Sequence, residues 1–262
     1  MTIVLIAGAF YLLAAWLVVR RVQRERRAGA GAWLLPALGA VALHALWHLL
    51  AWRQLGGLDL HFFAALSLVG LGMAALTALY AASGRMGALG AVVFPIAALS
   101  LAGYALSGVS VRTPLDWRLE LHAWLALLAY ATLAIAALLA IMLWLQERAL
   151  RRRQFSDWLR ALPPLTELEL LLFRAIAVGF ILLGATLLTG ILFVHDFFAQ
   201  HLLHKTVLSV LSWLAFGALL LGRWRYGWRG AKAVRWTLVA MVLLVLAFFG
   251  SKFVLELVLQ RG

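Results

Sequence analysis

A chain of 262 residues that is 65% hydrophobic and only 13% charged is too apolar for an ordinary water-soluble domain. Its formal charge of +13 would suit nucleic acid only if the basic residues shared one face, and instead they cluster at alternate ends of apolar runs. The absence of cysteine excludes disulfides, zinc thiolates and thioether attachment of a prosthetic group to this chain.

Apolar runs of about 17 to 25 residues, each long enough as a helix to cross ~30 Å of hydrocarbon, recur along the whole chain. They lie at 2–19, 32–52, 60–80, 88–106, 121–145, 170–194, 206–222 and 236–258. Segments such as ATLAIAALLAIMLWL are apolar on every face, whereas a membrane barrel alternates polarity within strands of about ten residues. The expected fold is therefore all-α, a polytopic transmembrane helix bundle of eight spans forming a single domain over residues 1–262. The first span has no basic residue before it and no small-residue cleavage site, and RRVQRERR follows it, so it reads as a retained helix rather than a signal peptide. Sixteen Lys and Arg fall on one side of the spans and five on the other. The positive-inside rule then puts both termini outside and the basic segments in the cytoplasm.

Within that frame, Pro95 in the fourth span predicts a kink. The longest cytoplasmic segment is 146–169. There RALRRRQ continues the fifth helix, and FSDWLRAL either lies in the headgroup layer on Phe155, Trp158, Leu159 and Leu162 or forms a polar linker. Pro163 and Pro164 end that segment, and Thr166 with Glu169 fits a capping box opening the sixth span. The matching outer loop is 195–205. No Walker loop, GxSxG or HExxH occurs, and no inverted repeat or pair of broken helices marks a transporter site. A protein without enzymatic turnover is expected.

On this topology all seven histidines fall in the outer half of the bilayer: His44, His48, His61, His122, His195, His201 and His204. Histidine is costly in hydrocarbon unless partnered, and it is the usual nitrogen ligand of haem iron, so a one-sided cluster points to a cofactor near the outer leaflet. Each also has a plainer reading. His61, His201 and His204 read as solvated loop residues, His48 as bonded to a neighbouring carbonyl, and His122 as an interfacial residue opening a helix; His44, between VAL and ALW, is hardest to place at a surface. Lys252 and Glu256 are four apart and can pair, and Arg174 is near enough to a helix end to snorkel. A functional alternative has Lys252 or Lys205 meeting an anionic group such as a haem propionate.

HAWLALLAY at 122–130, then TGILFVHD and KTVLSVLSWLAFGALLLGRWRYGWRGAKA, and finally AFFGSK, together resemble the cytochrome c assembly protein family (CcsA/ResC/CcmC-like), in its YpjD-like branch. The resemblance implies a bacterial inner-membrane, multi-pass protein that binds b-type haem non-covalently and works with other cytochrome-assembly membrane proteins. For CcsA-like members it implies carriage of haem to the outer side for attachment to apocytochrome c. His44 and His122 fall at two of that family's four haem-ligand positions, while Leu221 and the neighbourhood of Leu259 occupy the others. The outer tryptophan-rich WxWD loop is replaced by FFAQHLLHK, although Lys205 and Trp213 resemble its downstream flank. His195 fits a position where YpjD-like chains also carry histidine. The resemblance thus implies haem iron held by His122 with His195 or His44. The alternative is a cofactor-free scaffold subunit that keeps the family's fold.

Overall fold

The structure is a computed structural model that describes residues 1–23, 31–82, 87–108, 116–153, 163–193 and 200–258. The described residues are helical throughout, with no strand among them. The helices are α1 (Thr2–Gln23), α2 (Leu34–Leu55), α3 (Phe62–Ala82), α4 (Gly90–Ser107), α5 (Trp117–Arg151), α6 (Leu165–Phe193), α7 (Gln200–Tyr226) and α8 (Gly230–Val245). Two π turns, Leu246–Gly250 and Phe253–Val258, continue the chain beyond α8. Among the described residues, eight helical segments are long and apolar enough to cross a membrane, as the sequence predicts. Their outward side chains agree: Leu35, Leu99, Leu106 and Ile181 are largely exposed, which suits lipid and not water.

Several helix ends differ from the sequence expectation. Helix α5 does continue past the apolar run, through Arg151. FSDWLRAL lies outside the described residues. Helix α7 starts at Gln200, so His201, His204 and Lys205 belong to its first turns and not to an outer loop extending to 205. QHLLHK contains no glycine or proline and is rich in helix-favouring residues, so the helix reaches beyond the apolar run that located it.

The chain gathers into two compact units. The first holds α1 to α4 and residues 149–164. Its helices close a ring in which α1 packs on α2 and α4, and α3 packs on the same two. Tyr11, Trp33 and Phe94 are fully buried, with Phe94 6.0 Å from Tyr11 and 5.9 Å from Trp33 between ring centroids. Contact between α3 and α4 depends on Gly70, where a Cβ would stand 2.4 Å from Ser100 Oγ and 3.4 Å from Ala97 Cα. Close approach at small residues is how membrane helices gain van der Waals contact when lipid supplies no hydrophobic drive between them. Pro95 sits inside α4, as expected, and removes one backbone donor there.

The second unit holds residues 115–148 and 165–262, and so α6, α7, α8, the π turns and nearly all of α5. Gly179 on α6 accepts the fully buried Leu133 of α5, whose Cδ2 would lie 2.4 Å from an added Cβ. Ser212 Oγ on α7 donates to the Ala240 carbonyl of α8 at 2.8 Å. The Tyr130 hydroxyl on α5 donates to the Leu244 carbonyl just before the first π turn, where the regular hydrogen-bond ladder changes register. Glu169 departs from the expected capping box. Helix α6 starts at Leu165, and the Glu169 carboxylate turns away to accept the Gly230 N–H at 3.1 Å and Arg229 Nε at 2.8 Å. It therefore caps the N-terminus of α8, not its own helix: a carboxylate favours orphan donors and the positive end of a helix dipole, and α8 supplies both.

Candidate functional site

In the first unit, His44 and His48 lie one turn apart on α2 and meet α3 at Ser67. His44 Nε2 is 2.8 Å from Ser67 Oγ, and His48 Nε2 is 3.0 Å from the same oxygen. The Tyr11 hydroxyl lies 3.1 Å from His44 Nδ1, so both ring nitrogens of the fully buried His44 are engaged by protein groups. The His48 ring stacks on His44 and on Tyr104, with centroid separations of 5.4 and 4.9 Å. His48 therefore meets a side-chain hydroxyl, and not the backbone carbonyl suggested by its spacing.

His61 is not the solvated loop residue that the sequence suggested, because its side chain is only 12% exposed. Its Nδ1 is 2.8 Å from Asp59 Oδ1 and its Nε2 is 3.0 Å from Ser107 Oγ. The Tyr104 hydroxyl donates to the second Asp59 oxygen at 3.4 Å. Ser67, Asp59, Tyr11 and Tyr104 are thus members of this network that the sequence reading passed over. Each is common in helices and loops, and only the fold gathers them.

In the second unit, α5, α6, α7 and the chain around Leu244 to Phe248 line a half-open cavity of about 490 Å³. Its walls are mostly apolar, including Ala126, Leu183, Leu187, Ile191, Val210 and Phe248, and its polar groups are few: His122, Tyr130, Thr186, Lys205, Thr206, Ser209 and Trp213. The size and the sparse polar lining match sites that bind apolar cofactors and other small molecules. His122 Nδ1 is 3.2 Å from Thr189 Oγ1. Gly190 gives the ring room, since a Cβ there would be 3.3 Å from His122 Cε1.

Lys205, Ser209 and Trp213 recur at four-residue spacing and so share one face of α7, which turns toward the cavity. The indole N–H of Trp213 is buried and has no acceptor among the described residues, while its ring stacks on Phe180 at 4.8 Å. A buried donor left without an acceptor is rare and marks a place where a bound group can complete the bond. Lys252 forms the expected pair with Glu256 at 2.8 Å, and both lie close enough to Lys205 to act on it electrostatically.

Of the three expected iron ligands, His122 lines the cavity and His44 belongs to the first unit's network. His195 lies outside the described residues, and His204 is exposed on α7. Among the described residues no group of three or more His, Cys, Asp or Glu is arranged to hold a metal ion. Leu221 is exposed on α7.

Comparison with known proteins agrees with the resemblance. The chain is 36% identical over 137 residues to the inner membrane protein YpjD of Escherichia coli (strain K12), an overlap covering 52% of each chain. It is 38% identical over 143 residues to an uncharacterized 28.8 kDa protein in the nifR3-like 5' region of Azospirillum brasilense, covering 54% of this chain and 53% of that one. It is 29% identical over 131 residues to protein HemX of Brevibacillus brevis, covering 49% of this chain and 48% of the other. The chain thus spans about half the length of the curated relatives it matches. No solved structure matches. The family model described as cytochrome c assembly protein matches residues 34–259, which take in all of α2 to α8 and both π turns, and the chain belongs to that family.

Proposed function

We propose that this membrane protein handles haem during the assembly of cytochromes, binding it without covalent attachment in the second-unit cavity, where His122 would hold the iron. The observation that carries the proposal is the cavity itself: about 490 Å³ with apolar walls, one imidazole, and a lysine that has no hydrogen bond or ion pair among the described residues. Those residues fit a porphyrin. Apolar walls suit the macrocycle, His122 is a ligand of the type haem iron takes, and Lys205 can pair with a propionate. Bound there, haem would supply an iron centre that takes imidazole ligands, and His195 is the family-matched residue that would join His122 in holding it. The chain's own contribution is to orient the His122 ring through Thr189 and to face the macrocycle with apolar side chains.

The protein is proposed to act as a carrier or chaperone of haem without catalytic turnover. It is placed by this reading in the bacterial inner membrane, in keeping with the name of its Escherichia coli relative, where it works with other cytochrome-assembly membrane proteins. The test is an absorption spectrum of the detergent-purified chain with haem added in equal amount. A Soret band that shifts or weakens in His122→Ala supports the proposal. Absence of a band refutes haem handling, and a band indifferent to His122→Ala refutes the ligand.

A second reading, a cofactor-free scaffold with the same fold, is favoured by the engagement of both His44 nitrogens and by Leu221 at a ligand position. Co-purification of a defined membrane partner in the absence of haem supports it, and a stoichiometric haem signal refutes it.

A further inference from the structure

The connection from α7 to α8 reads GRWRYGWRGAKAVRW over residues 222–236, with five cations, four large aromatic residues and no acid. Gly227, at φ +65°, ends α7: its N–H reaches the Arg223 carbonyl at 3.1 Å, and the Trp228 N–H reaches the Gly222 carbonyl at 3.2 Å. Arg223 Nη1 donates back to the Trp228 carbonyl at 3.4 Å. The Trp228 ring then lies flat against Gly222, where an added Cβ would collide with it. Tyr226 and Trp236 flank this indole at 6.4 and 5.6 Å between centroids, and Lys232 Nζ sits over its face at 3.9 Å.

Two carboxylates stand near the turn. Glu169 is taken by Gly230 and Arg229, with Arg223 at 3.9 Å, and Glu147 lies against Gly230. Arg225, Lys232 and Arg235 are exposed and have no hydrogen bond or ion pair among the described residues. Beyond them the same face of α8 turns apolar. Lys232, Arg235, Val239, Val242 and Leu246 follow one another at spacings of three and four, and all are exposed, while Ala233, Val234 and Thr237 are buried on the opposite side. From Arg235 to Leu246 the stripe runs about 16 Å, close to half of a ~30 Å hydrocarbon core.

We propose that this face of α8 binds one anionic phospholipid, with its phosphodiester between Lys232 and Arg235 beside the Trp228 platform and an acyl chain along Val239, Val242 and Leu246. The guanidinium of Arg235 can take two phosphate oxygens at once, and the Lys232 ammonium adds a point charge. Because the indole already holds that lysine in place, little side-chain freedom is lost on binding. A choline or ethanolamine headgroup carries its own cation, which the unpaired basic groups here repel, whereas a glycerol headgroup does not. General anchoring at a membrane interface needs only scattered basic and aromatic side chains. It does not need a pinned indole under one lysine, or two cations one turn apart at the head of an exposed apolar stripe one leaflet long. The site does not depend on the haem reading.

The test is native mass spectrometry of the full chain in detergent, with phosphatidylglycerol or phosphatidylcholine of identical acyl chains added in turn. Wild type is expected to retain one phosphatidylglycerol per chain in preference to phosphatidylcholine. A basic residue near the surface contributes about fivefold to such binding, so Lys232→Gln with Arg235→Gln lowers retention on the order of tenfold or more. Lys232→Arg with Arg235→Lys, which keeps both charges, retains most of it. Arg151→Gln with Arg152→Gln removes the same charge from the exposed end of α5 and leaves retention unchanged. Equal retention of the two lipids, or of neither, overturns the proposal, as does an equal loss in the two glutamine double variants. Glycerol phosphate and inorganic phosphate are the probes for a free anion: if either displaces the lipid at equal concentration, the site reads phosphate alone and the lipid assignment falls.

Discussion

Glu169 is a side chain whose removal separates a helix cap from a surface ion pair, because one carboxylate serves both. Its Oε1 accepts the Gly230 N–H at 3.1 Å, its Oε2 accepts Arg229 Nε at 2.8 Å, and Arg223 Nη1 stands 3.9 Å away. Arg229 is 57% exposed, so after Glu169→Ala water takes over its guanidinium and the lost ion pair costs only about 0–1 kcal/mol. The Gly230 N–H opens α8, where no earlier turn supplies an acceptor, and a bond from such a donor to a charged group contributes about 1.5–3 kcal/mol. Together these give a destabilisation of about 2–3 kcal/mol for Glu169→Ala. Glu169→Gln keeps the carbonyl that Gly230 needs and gives up the charge, so about 1 kcal/mol is expected. The assay is unfolding of the purified chain in mixed micelles, followed by helical circular dichroism. A Glu169→Ala variant within about 0.5 kcal/mol of the wild type, the range of an ordinary surface substitution, refutes the capping assignment. So does a Gln variant as damaged as the Ala variant.

Other substitutions test the packing and the cavity. Gly70→Ala drives a methyl group against Ser100 Oγ and costs about 1–3 kcal/mol in the same assay; adding Ser100→Ala recovers most of that loss. Tyr130→Phe leaves the Leu244 carbonyl without its hydroxyl donor, costs about 1–2 kcal/mol, and increases amide exchange in the first π turn. Lys205→Met removes the ammonium from the cavity wall and is expected to raise the Kd for haem, while haem dimethyl ester binds wild type and variant alike in a titration followed by absorbance.

The bundle was legible because membrane insertion imposes long apolar runs, and eight such runs leave little choice of fold. Helix ends were less legible. Hydropathy marks where lipid begins and not where the backbone hydrogen bonds stop, and α7 therefore runs back to Gln200 through residues too polar for the apolar run. Glu169 shows the same difficulty for side chains: its spacing from Thr166 fits a local cap, and a better partner more than 50 residues away takes it.

In the site, His122 could be picked out by its place at the head of α5 and by resemblance. Its cavity could not, because Lys205, Ser209 and Trp213 look like any amphipathic spacing until α5 and α6 are seen opposite them. The partners of His44 were equally hidden, since Tyr11, Ser67 and His44 come from three helices and no local pattern connects them.

The two π turns after α8 carry a consequence for how the chain can change over generations. Each wide turn holds one residue more than an α-helix needs for the same hydrogen bonds, so the backbone there carries a residue to spare. Losing one residue between Leu246 and Gly250 would therefore let the ordinary ladder resume at little cost to the backbone. It would also swing every later side chain by about 100°, carrying Lys252 and Glu256 around the helix together. A lineage could thus keep its ion pair intact and still redirect it, through a change as small as a single codon.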